Sequence, residues 1–408
     1  MMRLLTGSWV AVALVVGGAV ATMGQDSPRD YPQWRGRSRD GAASAFVKPQ
    51  AWPDTLRLRW KADVGEGYAT PLVVGNRVYV FTRRDGREGI TALDADTGET
   101  RWRTDYAVSY ELYEGAVDHG EGPKATPLFH NGTLYTVGIS GTISAFDARS
   151  GTLVWQKAVP SIQPDVGFAA SPIGNRDVVI IQEGYEALTA FESKTGRVRW
   201  TVKNEFRYAS PIMANLHGTL QLIAVAQHAI LGISVADGAV LWDHPWKSPY
   251  VQAITPVLYR DTIIVSGEQR GVMALKPTRR EDTWGVDMIW ETTDVSMSLS
   301  NPVVIGDTLF GLSHRNSGQY FAVDASTGRV LWLDRPRRAT NSALVKADDL
   351  ILFLNDDGEL IVARSSRTRF QPLKSYRVAD SATWAQPAVS GRRIFVKSVS
   401  ALASWSLQ

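Results

Sequence analysis

One unit recurs through the chain and limits what it can fold into. Its first clear copy is Ala92-Leu-Asp94-Ala-Asp-Thr97-Gly98-Glu-Thr-Arg-Trp102, which reads as a strand, a tight turn at Asp96-Thr97-Gly98 and a second strand ending in Trp102. The same design returns at Ala145 to Trp155, Ala190 to Trp200, Gly232 to Trp242 and Ala322 to Trp332. A second marker opens each unit, a small residue or Thr/Ser before Pro. It stands at Thr70-Pro71, Thr126-Pro127, Ser171-Pro172, Ser210-Pro211, Thr255-Pro256, Asn301-Pro302, a degenerate Ser342-Ala343 and Gln386-Pro387. The spacing is roughly 45 residues and leaves room for four strands, the period of a propeller blade. Eight openings predict an all-β, eight-bladed β-propeller of four-stranded antiparallel blades.

The eighth opening has only residues 388–407 behind it, enough for three strands. The alternating stretch Leu56-Arg-Leu-Arg-Trp60-Lys-Ala supplies the fourth, so the N-terminal strand is expected to close the ring. Trp60, Trp102, Trp155, Trp200, Trp242, Trp290 and Trp332 end the outer strands and are read as blade-docking residues. Burying one such indole stabilises by about 3 kcal/mol on area alone, so no ligand is needed to explain them. Blade five is expected to carry a longer turn from Pro277 to Val286. Blade seven is expected to place Tyr376 where its neighbours have Trp.

Residues 1–24 read as a signal peptide: Arg3, an apolar run from Val10 to Ala21, and the small-residue site Ala19-Val-Ala21. Residues 55–408 form the propeller. Residues 25–54 form a polar lead-in, whose Tyr31 and Trp34 suggest packing on the propeller surface. No integral membrane span is expected beyond the signal segment, and the location is periplasmic or extracellular. The chain has no Cys, which removes disulfides, thiolate metal sites and a lipidated N-terminal Cys. Its six His form no His-x-x-x-His pair, so no metal site is predicted. The net charge is +3 and basic residues occur in short pairs such as Arg83-Arg84, so nucleic acid is not an expected partner.

The pattern Ala92-x-Asp94-x-x-Thr97-Gly98-x-x-x-Trp102 resembles the tryptophan-docking motif of the pyrroloquinoline-quinone (PQQ)-like repeat superfamily, over about residues 55–408. That superfamily holds both quinoprotein dehydrogenases and the outer-membrane assembly lipoprotein of the β-barrel assembly machinery. The lead-in Trp34-Arg-Gly36-x-x-Arg39-Asp40-Gly41 and the segment Gly122-Pro-Lys-Ala-Thr-Pro127 are similar to secreted bacterial propellers of this kind. For the enzymes, the resemblance implies PQQ in the central funnel, a calcium ion, a catalytic Asp, a Trp floor and often a disulfide. This chain cannot make the disulfide and shows no matching Glu, Asn and Asp set. No catalytic residue and no cofactor is therefore predicted; PQQ and Ca belong only to the alternative reading.

Residues just before the openings should ring the channel mouth, joined by loops between second and third strands. The candidates for a ligand or partner site are Tyr68, Arg83, Lys124, Phe168, Glu183, Tyr208, Gln252, Asn341 and Trp384. Asn301, Glu268 and His314 stand at equivalent places. Such a mixed aromatic, amide and charged mouth suits an extended peptide or a small polar ligand. The plain alternative is a solvated rim around a water-filled channel. The long connection from Arg103 to Ala125, with Tyr106, Glu111 and Glu121, lies on the same face. The function expected is a non-catalytic exported scaffold that binds an envelope or secreted protein, or a small polar ligand, with a role in envelope protein assembly. The alternative is a PQQ- and Ca-dependent oxidoreductase acting on an alcohol or sugar.

Overall fold

The computed structural model describes residues 27–111, 120–158, 166–248 and 253–407; the segment read as a signal peptide lies outside them. The chain folds into eight four-stranded antiparallel sheets arranged as the blades of a propeller. Blade one runs from the hub outward as Leu72–Val74, Arg77–Arg84, Arg87–Asp94 and Thr100–Ala107. The ring closes through the N-terminal strand. Arg57–Asp63 pairs antiparallel with Ala401–Ser406 and becomes the outer strand of blade eight.

The apolar cores lie between blades rather than within them. Val78, Val80 and Leu93 of blade one, for example, pack with Trp60, Phe395 and Leu402 of blade eight. This arises from the alternation along each strand, which gives each blade two apolar faces and a neighbour on both.

The recurring unit has a local cause. Asp94 Oδ1 accepts the N–H groups of Asp96 (2.9 Å) and Thr97 (3.0 Å) and fixes the turn. Gly98 then adopts φ +76°, and a Cβ there would come within 2.6 Å of the Trp60 ring of blade eight. In all eight blades the outer strand also bulges at this place: in blade one Ala92 opposes Trp102 while Leu93 opposes Thr100, and in blade eight the register shifts between Leu58 and Trp60. The bulge twists the outer strand and tips the indole onto the next blade. There the Nε1–H of Trp60 reaches Ala95 O (3.0 Å), that of Trp155 Ser193 O (2.9 Å), and that of Trp200 Val235 O (3.2 Å). Trp290 reaches Ala325 O (3.0 Å) and Trp332 reaches Ser366 O (2.8 Å). Trp102 lies over Gly151 in the same way. Its expected acceptor, Ala148 O, is already taken by Tyr79 Oη and Arg77 Nη1, and its own N–H has no partner among the described residues.

Two joints depart from this design. Trp242 lies over Gly232 of its own blade and donates to Gln221 Oε1 (2.7 Å), although it remains buried against Ile263, Met273 and Leu275 of blade five. Blade five offers it no Gly turn. The longer turn expected from Pro277 to Val286 is instead two long strands, Gly271–Arg280 and Thr283–Thr292, in which Pro277 pairs with Val286. This hairpin reaches back to blade four, where Trp284 meets His217 edge-on at 5.9 Å. In blade seven the place beside the bulge holds Lys374, which pairs with Asp54 at 2.8 Å; Tyr376, expected there, lies two residues further along the strand and donates its hydroxyl to Pro53 O (2.8 Å).

The openings have their own physical reason. The backbone N–H of Thr70 donates to Thr126 Oγ1 (3.1 Å), that of Thr126 to Ser171 Oγ (3.0 Å), and that of Ser171 to Ser210 Oγ (2.9 Å). Thr255 N donates to Asn301 Oδ1 (2.7 Å) in the same sense. Innermost strands converge on the axis and leave a buried N–H at each start. A short hydroxyl or amide on the next blade satisfies it, which is why Thr, Ser or Asn precedes the Pro.

The expectation that the lead-in packs on the surface is overturned. Residues 31–43 enter the hub. Tyr31 pairs with Val73, Pro32 O accepts from Phe129 N (2.8 Å), and Ala43 N donates to Lys346 O (2.9 Å). Each of those partners lies past an opening on an innermost strand. Arg35 and Arg39 are 0% and 2% exposed. Arg39 donates to Ser171 O (3.0 Å) and Pro172 O (3.1 Å), and Arg35 donates to Pro302 O. Carbonyls at the hub draw the two guanidiniums inward, so the axis is filled by the chain itself and the reading of a water-filled channel does not hold there.

Candidate functional site

The mouth residues come just before the openings, whereas the lead-in pairs beyond them. The lead-in therefore closes the hub from one end and leaves a blind chamber at the other. Trp34 is where the two meet: its Nε1–H donates to Thr255 Oγ1 (2.9 Å), and its ring lines the chamber. The chamber measures about 360 Å³ and is walled by Trp34, Tyr68, Lys124, Val166, Ala169, Tyr208, Ser210, Ala253, Glu268, Ser298, Leu299, Asn301, Asn341 and Trp384. That volume lies in the range of small-molecule or side-chain pockets.

Five of the candidate residues meet there: Tyr68, Lys124, Tyr208, Asn341 and Trp384. Tyr68 and Trp384 pack edge-on at 6.4 Å. Tyr208 accepts a hydrogen bond from Tyr185 Oη (2.8 Å), and the Arg207 guanidinium lies 4.6 Å from the centre of the Tyr185 ring. Lys124 donates to Val166 O, and burial brings its ammonium down to about 8. Asn341 Oδ1 accepts from Ser300 Oγ (2.7 Å), which fixes the amide.

The other candidates lie elsewhere. Phe168 is buried and packs edge-on against Tyr185 at 6.1 Å, a wall behind the chamber rather than its lining. Arg83 is turned to Glu121 (3.2 Å). Glu183 accepts from Thr189 within its own blade. Gln252 lies outside the described residues. In the long connection, Tyr106 belongs to a strand and donates to Glu88 Oε2 (3.2 Å), so it is not a loop residue. Sequence reasoning missed Trp34, Ser298 and Leu299 as site residues. Trp34 carried the one available signal, an aromatic residue flanked by Arg and Gly in an otherwise polar stretch.

Calcium requires six to eight oxygen ligands. The described chamber walls offer one carboxylate, Glu268, whose Oε2 already accepts from Ser298 Oγ (2.7 Å). The amide oxygens of Asn301 and Asn341 already accept from Thr255 N and Ser300 Oγ. These residues do not fit the calcium site of a quinoprotein. The arrangement is suited instead to enclosing an aromatic or aliphatic group and setting one poorly hydrated ammonium against an acceptor or anion on it.

A family model described as outer membrane protein assembly factor BamB matches residues 50–110 and 86–334, more than half of the chain. The chain is 23% identical over 363 residues to the outer membrane protein assembly factor BamB of Shewanella oneidensis, covering 88% of this chain and 79% of that one. It is 25% identical over 317 residues to the dehydrogenase subunit of a quinone alcohol dehydrogenase from Komagataeibacter europaeus, covering 68% of this chain but only 41% of that subunit. The crystal structure of quinohemoprotein alcohol dehydrogenase from Comamonas testosteroni matches with a TM-score of 0.71 at 13% identity, over 93% of this chain and 80% of that one. The last likeness is one of fold alone.

Proposed function

The chain belongs to the PQQ-like propeller family described as outer membrane protein assembly factor BamB, and from that premise we propose that it is an exported, non-catalytic scaffold that holds a protein partner at its mouth during envelope protein assembly. The observation that carries this reading is the blind chamber. It gives a partner an apolar socket with one ammonium, and its fixed amides set orientation. The socket is supported from behind by Trp34 and cannot be threaded.

The test is affinity capture with the immobilised chain from an envelope extract, read by mass spectrometry. Capture of outer-membrane assembly components by the wild-type chain, lost in the Tyr208→Ala/Trp384→Ala variant, is the expected result. The quinoprotein reading is tested in parallel by adding PQQ and calcium and measuring melting temperature and dye reduction. Turnover there, with no capture of assembly components, would overturn the scaffold reading.

A further inference from the structure

Behind Trp34 lies a second, much smaller cavity of about 30 Å³, with Arg35, Asn341, Ser342, Ala343 and Gln386 among its walls. Trp34 and Trp384 border both spaces. A cavity of this size has room for a water molecule or a monatomic ion. We propose that it is a halide site, in which one chloride-sized anion rests against the Arg35 guanidinium. The inference does not depend on the partner reading above.

The argument starts from charge. Arg35 is fully buried, with Nε donating to Arg39 O (3.2 Å) and Nη2 to Pro302 O. Its Nη1 has no hydrogen-bond partner among the described residues, and neither has Nε of Arg39. Carbonyl oxygens satisfy hydrogen-bond geometry but bring no countercharge. The Asp40 carboxylate acts on Arg35 through space, but it is ion-paired with Lys346 at 2.8 Å and bonded to neither guanidinium. Burial lowers Arg35 to about 10 and Arg39 to about 9, so both remain protonated at neutral pH. The hub thus holds two guanidiniums with no carboxylate bonded to either among the described residues. A buried charge persists only when compensated. The cavity beside Arg35 is the place where a small anion can supply that compensation while giving Nη1 its missing acceptor. The amides of Asn341 and Gln386 add polar walls.

Crystals of the full chain soaked in bromide test the placement. An anomalous peak within hydrogen-bond reach of Arg35 Nη1 is expected, and a cavity filled only by water would overturn the proposal. In solution, chloride is exchanged for the much larger methanesulfonate at constant ionic strength. The wild-type melting temperature should rise with chloride and saturate. Arg35→Met should lose that response. Should Arg35→Met fail to fold, Ala343→Val decides, because its added methyl groups fill the cavity while leaving the arginine in place. An undiminished chloride response in Ala343→Val would overturn the proposal.

Discussion

At the rim, a neutral indole crosses to the next blade and lies over a glycine. At the hub, a backbone N–H crosses to a hydroxyl, and two guanidiniums fill the axis. The rim joint draws on area, since an indole removes a large apolar surface from water and its hydrogen bond adds little more. The hub joint draws on satisfaction, since the innermost strands begin with buried N–H groups that need acceptors. Stability therefore resides mostly at the rim, and the shape of the site is set at the hub.

The largest expected effect lies at the rim where the ring closes. Trp60→Ala removes the indole that ties the N-terminal strand to blade one, and a buried Trp→Ala change costs about 3–5 kcal/mol. Urea unfolding measures this. A loss below about 1 kcal/mol, the size of an ordinary substitution, would show that Trp60 does not hold the ring closed.

A charge buried between blades one and two gives the next effect. Glu88 is 0% exposed, accepts from Ile139 N (2.7 Å) and Tyr106 Oη, and burial pushes its carboxyl up to about 7 from 4.5. The folded state then binds more protons than the unfolded one between those values, so stability falls as pH rises through that window and is level above it. The full span corresponds to about 3 kcal/mol. Glu88→Gln should lack this slope and should gain on the wild type most above pH 7. Asp94 acts in the opposite sense: its bond with Arg101 holds it down to about 2, so its contribution is lost only as pH falls below about 4. Chemical denaturation of both proteins from pH 4 to 8 separates the two groups. Parallel curves would remove Glu88 from the account.

The hub joint is tested by Thr126→Val, which keeps shape but removes the acceptor for Thr70 N–H. Both residues are fully buried, so the unsatisfied donor should cost about 1–3 kcal/mol. The effect should be smaller than that of Trp60→Ala if area dominates satisfaction.

How far each joint could be read in the chain depends on the same contrast. The rim unit repeats, so Asp94, Gly98 and Trp102 announce one another at fixed spacing, while the eight blades and their closure emerge by counting the openings. The openings were equally visible, yet their hydrogen bonds were not, because Thr126 accepts from a residue 56 positions earlier. The lead-in occurs once and has no period. Arg35 and Arg39 look like solvated residues until carbonyls 267 and 133 positions away come together around them. Tyr68, Lys124, Tyr208, Asn341 and Trp384 stand before openings and line the chamber, as does Asn301, whereas Phe168 also stands before an opening and packs behind the wall. Arg83 and Glu183 were misplaced because loop position does not reveal which way a side chain turns.

The smallest prediction sits within the rim itself. Trp102 and Trp155 occupy equivalent positions, over Gly151 and Gly196, and both lie at joints between complete blades. They differ in one bond. Trp155 donates to Ser193 O at 2.9 Å, whereas Ala148 O is already occupied by Tyr79 and Arg77 and the N–H of Trp102 is buried without a partner among the described residues. Replacing either with Phe loses similar apolar area. Only Trp155→Phe also loses a hydrogen bond, and Trp102→Phe removes an unsatisfied donor. The first variant should therefore be less stable than the second by about 1 kcal/mol or somewhat more, read as the difference between two unfolding free energies. Equal losses would mean that the indole N–H contributes nothing at this joint and that the rim rests on packing alone.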